Sequence, residues 1–286
     1  MATARDLQRQ INTVKNQARV FSALQTVSSV KFRKAEARVK KARPYADNVE
    51  QMMRDVAGSA SGDLPLLVGR EVNRVAVCTL TADRGLAGGF NAQVLRRTVS
   101  LRNEKDQDAL QVASGRKAVA FFRFRRVELA EVFTGFTDNP TYDKAREIGS
   151  ALTNLFEDEE ADEVYLVYNR FESALNQTPV VKRLLPVAEE GDEEEDDGAS
   201  YMEYVPDAET VLKRLVPRYV ETMVWQALLE GAAGEHGARM TAMKNATDNA
   251  NDLVRDLTLQ MNKARQAQIT QEILEIVGGA EALSAG

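Results

Sequence analysis

From residue 7 onward an apolar side chain recurs in alternating steps of four and three, at Leu7, Ile11, Val14, Ala18 and Phe21. The alternation resumes at Phe32, Ala35, Val39, Ala42, Ala46, Val49, Met53 and Val56. Such spacing lines one face of an α-helix with a narrow apolar stripe, and a stripe of that width needs a partner helix. Between the two runs the seam positions hold Gln25 and Ser28, while Leu24 and Val27 stand one place off. That predicts a stutter where the seam weakens or rotates. The helix is expected to end near Gly58, ahead of the turn residues Ser59–Gly62.

The last third of the chain repeats the pattern. Asp207 follows Pro206 as a candidate N-cap, and Met243, Thr247, Ala250, Val254, Leu257, Met261 and Ala264 again alternate by four and three. An unbroken helix of this length spans on the order of 100 Å, too long to fold back into one small globule. Pro217 predicts a kink, because its ring removes one hydrogen bond and crowds the preceding turn. Gly231, Gly234 and Gly237 mark a second stretch that is either soft or closely packed. Because the chain leaves and returns, the two terminal helices are expected to pair antiparallel.

Between them the pattern turns α/β. Apolar β-rich runs at Arg74–Thr79, Ala109–Ala113, Val164–Tyr168 and Pro179–Pro186 alternate with helical runs from Asn91 to about Arg102, at Lys117–Phe124 and at Tyr142–Phe156. Strands alternating with helices imply a mostly parallel sheet covered on both faces. The expected partition is a helix over 1–58, an α/β domain over 70–188, an acidic connector over 189–205 and a helix over 207–286. Glu189–Gly198 (EEGDEEEDDG) has no apolar member and reads as a solvated loop.

Charge and composition narrow the chemistry. A net charge of -6 argues against a general nucleic-acid binder. The charge is uneven, with a basic cluster at Lys31, Arg33, Lys34, Arg38, Lys40, Lys41 and Arg43 on a helix whose other face is committed to the seam. An acidic protein surface suits that cluster better than DNA. Cys78 is the single cysteine, so no intramolecular disulfide is possible, and it reads as inert core. His236 is the single histidine, which leaves no basis for His-rich metal sites. Beside Glu235 and Arg239 in a helical run, it reads as a surface or packing residue. The first residues lead straight into the amphipathic helix without an apolar leader, and no run reaches the roughly 18 apolar residues of a membrane span.

One segment resembles a phosphate cradle. Asp83–Asn91 (DRGLAGGFN) lies after a predicted strand and before a predicted helix, where backbone N–H groups could hold an anion. It matches neither G-x-G-x-x-G nor G-x-x-x-x-G-K-[ST]. The better reading is a structural turn built on Asp83, Arg84, Gly85, Gly88 and Gly89, with the glycines supplying backbone angles other residues resist. Nothing in the carboxylate pattern pairs an acid with a base, so no catalytic residue, cofactor or metal is expected.

Asn262–Leu283 (NKARQAQITQEILEIVGGAEAL), Ala238–Ala250 (ARMTAMKNATDNA), the DRGLAGGFN segment and Leu7–Asn16 (LQRQINTVKN) together resemble the gamma subunit of bacterial F-type ATP synthases, in the same order and separation. The resemblance implies an antiparallel coiled coil attached to a Rossmann-like domain with no nucleotide site. It also implies a rotor, one copy per complex, that turns inside a ring of alpha and beta subunits. Its foot would grip epsilon and the c-ring on the cytoplasmic side of the membrane. Arg265, Gln266, Thr270 and Glu272 would face beta, together with Leu24, which lies in Phe21-Ser22-Ala23-Leu24 where the family usually has Thr-Lys-Ala-Met. Lys31, Arg33, Lys34, Arg38 and Lys41 would pass beta's acidic lever, and Tyr204 would sit at the foot. The family's usual glycine-loop Cys is Ala87 here.

Overall fold

The computed structural model describes residues 3–59, 69–105, 108–187 and 208–284. Its elements in chain order are α1 (Ala4–Ser59), β1 (Arg74–Leu80), α2 (Phe90–Lys105), β2 (Asp108–Ser114), α3 (Arg116–Phe124), β3 (Leu129–Phe133), α4 (Tyr142–Glu157), β4 (Glu163–Phe171), β5 (Gln177–Leu185) and α5 (Ala208–Ser284). The acidic segment, Tyr204 and the Asp207 cap fall outside the described residues. The chain divides into two compact units, one made of α1 up to Val27 with α5 from Met240, the other of Ser28–Arg239.

In α1 the expected stutter is absent. Ser28 is 3% exposed and Val27 is 54% exposed, so the polar residue, not the valine, holds the seam. Counting through Gln25 and Ser28 gives an unbroken four-three alternation from Leu7 to Met53. Backbone periodicity therefore outranks the pull of one apolar side chain standing one position off. Pro44 also lies inside this helix. The proline and Lys40, whose carbonyl it leaves unbonded, are both exposed, so water can take up the freed oxygen.

The smaller unit buries Leu7, Ile11 and Ala18 of α1 together with Met243 and Ala250 of α5. Val14, Phe21, Thr247, Val254, Leu257, Met261 and Ala264 are half-buried along the same stripes. From Arg265 to Ala280 every residue is exposed.

In the larger unit five strands form one sheet in the order β3-β2-β1-β4-β5. Strands β1 to β4 are parallel and β5 is antiparallel to β4. Period-two alternation sorts the side chains. Val75, Val77, Tyr165 and Val167 face Val94 and Leu101 of α2, while Ala76, Cys78, Val164 and Leu166 join Ile148, Leu152, Val216, Val220 and Val224 of α4 and α5. Both faces are covered, and six of the seven residues of β1 are buried, as a central parallel strand requires. β3 was not foreseen. It is a short edge strand, LAEVF, anchored at its ends by buried Phe133 and half-buried Leu129, with its middle residues in water, so it carries no alternation to read. The direction of β5 follows from the tight turn between Phe171 and Gln177, where the Glu172 and Ser173 N–H groups donate to the Asn176 carbonyl.

Both long helices pack on this sheet and run antiparallel. Phe32 lies against Gly237, Val39 beside Leu229 and Ala233, and Arg43 against Glu230. α5 continues through Pro217 without a break in its assignment. Of its glycines, Gly234 and Gly237 are closely packed. A Cβ on the first would fall 2.9 Å from the Phe90 ring, and one on the second 3.1 Å from the Ala174 backbone, whereas Gly231 has nothing within 4 Å.

Candidate functional site

The glycine loop joins the end of β1 to α2, at the position where sheets of this topology hold a ligand. Here the loop carries an anion of its own, and that anion is bound by the N–H groups of the two neighbouring loops. The Asp83 carboxylate accepts hydrogen bonds from the backbone N–H of Arg116 (3.0 Å), Gly135 (2.9 Å) and Thr137 (3.1 Å), and from the Thr137 hydroxyl (3.1 Å). Burial alone would raise its pKa, but these donors prevail and hold it below the ordinary carboxylate value. Behind it, α5 lays Ala227, Leu228, Gly231 and Glu235 over Leu80, Ala82 and Phe90, leaving a cavity of about 20 Å³. One water fits there and a nucleotide does not.

The loop's backbone differs from the expectation at two glycines. Gly88 takes a left-handed conformation (φ 54°), but Gly85 and Gly89 do not, and the second left-handed residue is Leu86 (φ 62°). The turn is held from outside: Arg239 Nε donates to the Gly85 carbonyl (3.1 Å), and Asn91 Oδ1 accepts from the Ala82 N–H (2.8 Å). These external bonds offset the cost of a left-handed leucine. Gly115 is required nearby, since its φ is 91° and a Cβ there would lie 2.1 Å from the Thr81 carbonyl oxygen.

The basic run of α1 splits into two sets. Lys31 pairs with Asp138. Arg38 donates to Asn139 Oδ1 (2.7 Å) and the Pro140 carbonyl (2.6 Å) and lies over the Trp225 ring. Arg43 reaches the Phe171 carbonyl (3.0 Å) and Glu230 (3.2 Å). These three bind α1 to the α/β body. Among the described residues Arg33, Lys34 and Lys41 make no ion pair and face water, and Lys40 pairs only with Glu36 on its own helix.

Arg265, Gln266, Thr270 and Glu272 lie on the wholly exposed end of α5, and Leu24 is half-buried on α1. Ile269, Ile273, Ile276 and Val277 are exposed on the same end. None of them falls on the seam continued beyond Ala264, so the apolar stripe leaves its line here and finds no cover among the described residues.

A buried charged cluster on α5 escaped the sequence. Glu235 is 1% exposed, His236 2% and Arg239 7%, so the histidine is a core residue rather than a surface one. Arg239 pairs with Glu235, and its Nη1 lies 3.5 Å from His236 Nδ1. A guanidinium has only donors, so Nδ1 is the acceptor and the ring proton sits on Nε2. Nε2 then donates to the Asp138 carbonyl at 3.2 Å. Burial, with Arg239 and Lys31 adding to it, pushes the His236 pKa down against the pull of Asp138 and keeps the ring neutral. The sequence signal was the crowding of Glu235, His236 and Arg239 around the glycines at 234 and 237.

No helix among the described residues is long and apolar enough to cross a membrane. The family described as ATP synthase matches residues 3–283. The ATP synthase gamma chain of Rubrobacter xylanophilus is 68% identical, covering 100% of both chains. That of Desulfitobacterium hafniense is 46% identical over 99% of this chain and 100% of its own length. Among solved structures, a chain of the Euglena gracilis mitochondrial ATP synthase (OSCP/F1/c-ring) aligns at a TM-score of 0.72 with 18% identity, covering 99% of this chain and 95% of that one. A chain of the Tetrahymena thermophila central stalk/c-ring structure gives 0.62 with 20% identity, covering 79% and 99%. With a match that runs from end to end, the chain belongs to the ATP synthase gamma-chain family, the non-catalytic central-stalk rotor subunit of the F-type synthase.

Proposed function

We propose that the exposed end of α5 is the bearing and drive surface of this rotor. One copy turns inside a ring of alpha and beta subunits, with Arg265, Gln266, Thr270 and Glu272 meeting beta and Leu24 meeting it from α1. The observation that carries this reading is the run from Arg265 to Ala280, which is exposed throughout and bears Ile269, Ile273, Ile276 and Val277 without a partner among the described residues. Exposed apolar side chains on a helix call for an enclosing surface supplied by something else. Arg33, Lys34 and Lys41, free of internal pairs, are the part of the basic run available to an acidic lever on beta, while Lys31 and Arg38 support it from behind. Epsilon and the c-ring take the opposite end, with Tyr204 as a foot contact, and the chain works as a peripheral subunit on the cytoplasmic side of the membrane. In this reading residues 1–58 and 207–286 form the shaft, 70–188 the body and 189–205 a connector.

Rotation also needs asymmetry, so that identical partners are held in different states by one shaft. The test is ATP hydrolysis by matching alpha and beta subunits with and without this chain, with a bead on the α/β body watched in the same preparation. Stimulated hydrolysis with steps near a third of a turn is expected. Tight binding without stimulation or rotation would make the chain a coiled-coil scaffold instead.

A further inference from the structure

The buried charges around His236 take no part in the contacts assigned above. Burying ionic groups brings little net stability, and apolar residues of similar volume commonly serve as well. The cluster draws on four elements of the larger unit: α1 through Lys31, the β1–α2 loop through Gly85, the β3–α4 loop through Asp138, and α5 through Glu235, His236 and Arg239. Glu235 and His236 sit between Gly234, packed against the Phe90 ring, and Gly237, packed against Ala174, with Arg239 just beyond. Apolar contacts resist separation but permit sliding. Charge-assisted hydrogen bonds fix direction as well as distance, and so resist rotation of a helix about its own axis.

We propose that this cluster is the torque joint of the rotor, fixing the rotational setting of α5 and α1 against the α/β body, with His236 as its positioning residue. The inference rests on the rotor reading. The imidazole spans the joint, because Nε2–H engages the β3–α4 loop at Asp138 while Nδ1 receives Arg239, whose Nε in turn holds the glycine loop at Gly85. Asp138 also takes Lys31 on its carboxylate, so one loop residue ties both shaft helices. Loss of the imidazole leaves α5 packed and still tied at Gly85 and Arg43, but cuts its bond to the β3–α4 loop and so weakens its resistance to twisting under load.

The experiment uses the complete synthase in inverted membrane vesicles, with ATP hydrolysis and ATP-driven proton uptake measured side by side. His236→Phe keeps the volume and removes both hydrogen bonds, Asp138→Asn is isosteric, and His236→Gln keeps one donor and one acceptor. Hydrolysis within about twofold of the parent, with about fivefold fewer protons moved per ATP in His236→Phe, is expected, in line with ordinary coupling between separated sites. Asp138→Asn lowers the same ratio, and His236→Gln restores most of it. A purely structural role would lower hydrolysis and pumping together and leave their ratio at the parental value. That ratio, found in both His236→Phe and Asp138→Asn, overturns the joint. A parent complex that hydrolyses ATP without moving protons would instead bring down the rotor reading.

Discussion

Asp83 and His236 are the residues whose chemistry the fold uses most heavily, and both make the chain sensitive to acid. The folded pKa of Asp83 lies below its unfolded value, so its contribution is complete above the ordinary carboxylate pKa and fades as pH falls through the folded one. Asp83→Asn puts an amide among donors that need an acceptor, and should cost about 2 kcal/mol in a denaturant melt, the lower part of the range for charged bonds because the site is partly open to solvent. For His236 the folded pKa is also depressed, from an ordinary value of 6.5. Below that value the unfolded chain binds a proton that the folded ring refuses, so stability falls with pH until the folded pKa is reached. Glu235, raised by burial, works in the opposite direction at lower pH. Urea midpoints of parent and His236→Gln between pH 7 and 5.5 isolate the ring, and the glutamine variant is expected to show the flatter profile. Both residues were named from the sequence, Asp83 in a structural turn and His236 as a surface or packing residue, but the bonds they make were not legible. A carboxylate that fills a cradle formed by Arg116, Gly135 and Thr137 depends on three segments distant in sequence, and no local pattern records that meeting.

At the scale of elements the sequence was a better guide, and its errors have identifiable causes. Strands β1, β2 and β4 and helices α2, α3 and α4 were readable because each buries an apolar stripe of the right period. β3 was missed because an edge strand with one buried anchor has no period. The stutter was read from Leu24 and Val27, but α1 kept its seam on Gln25 and Ser28 because rotating a helix already held at Ile11, Ala18 and Val39 would expose all of them. Gly231, Gly234 and Gly237 of α5 looked alike in sequence and are not. Gly231→Ala adds a methyl where nothing lies within 4 Å, and should stabilise by about 0.5–1 kcal/mol through helix propensity and a less flexible unfolded chain. Gly234→Ala drives a methyl to 2.9 Å from Phe90, and overpacking should destabilise by about 1–3 kcal/mol. Thermal melts of the two variants should move in opposite directions, and a shared direction would contradict the packing described.

For the whole molecule, a sheet of nucleotide-binding topology has been turned into a mounting for helices. The crevice at the strand C-terminal ends is covered by α5, and the Asp83 carboxylate ties the glycine loop to the start of α3 and to the β3–α4 loop. Equilibrium dialysis of the purified chain with millimolar ATP should therefore find no binding. Saturable uptake would mean that the loop opens in solution. The long helices and the α/β middle were legible together because their periods differ so sharply. The rotor's partners were legible only through the resemblance of four segments, since surfaces that complement other chains leave no period of their own.

The end of α5 has a further consequence. From Arg265 to Ala280 every side chain is exposed, with no cover among the described residues, so an exchange there changes the helix chiefly through its intrinsic propensity. Folding places almost no constraint on which residues stand there, and selection on those positions can act through the neighbouring subunits alone. The same freedom makes the tip the natural place to graft altered side chains, because a change in the working of the assembled machine could be read without a confounding change in the stability of the shaft.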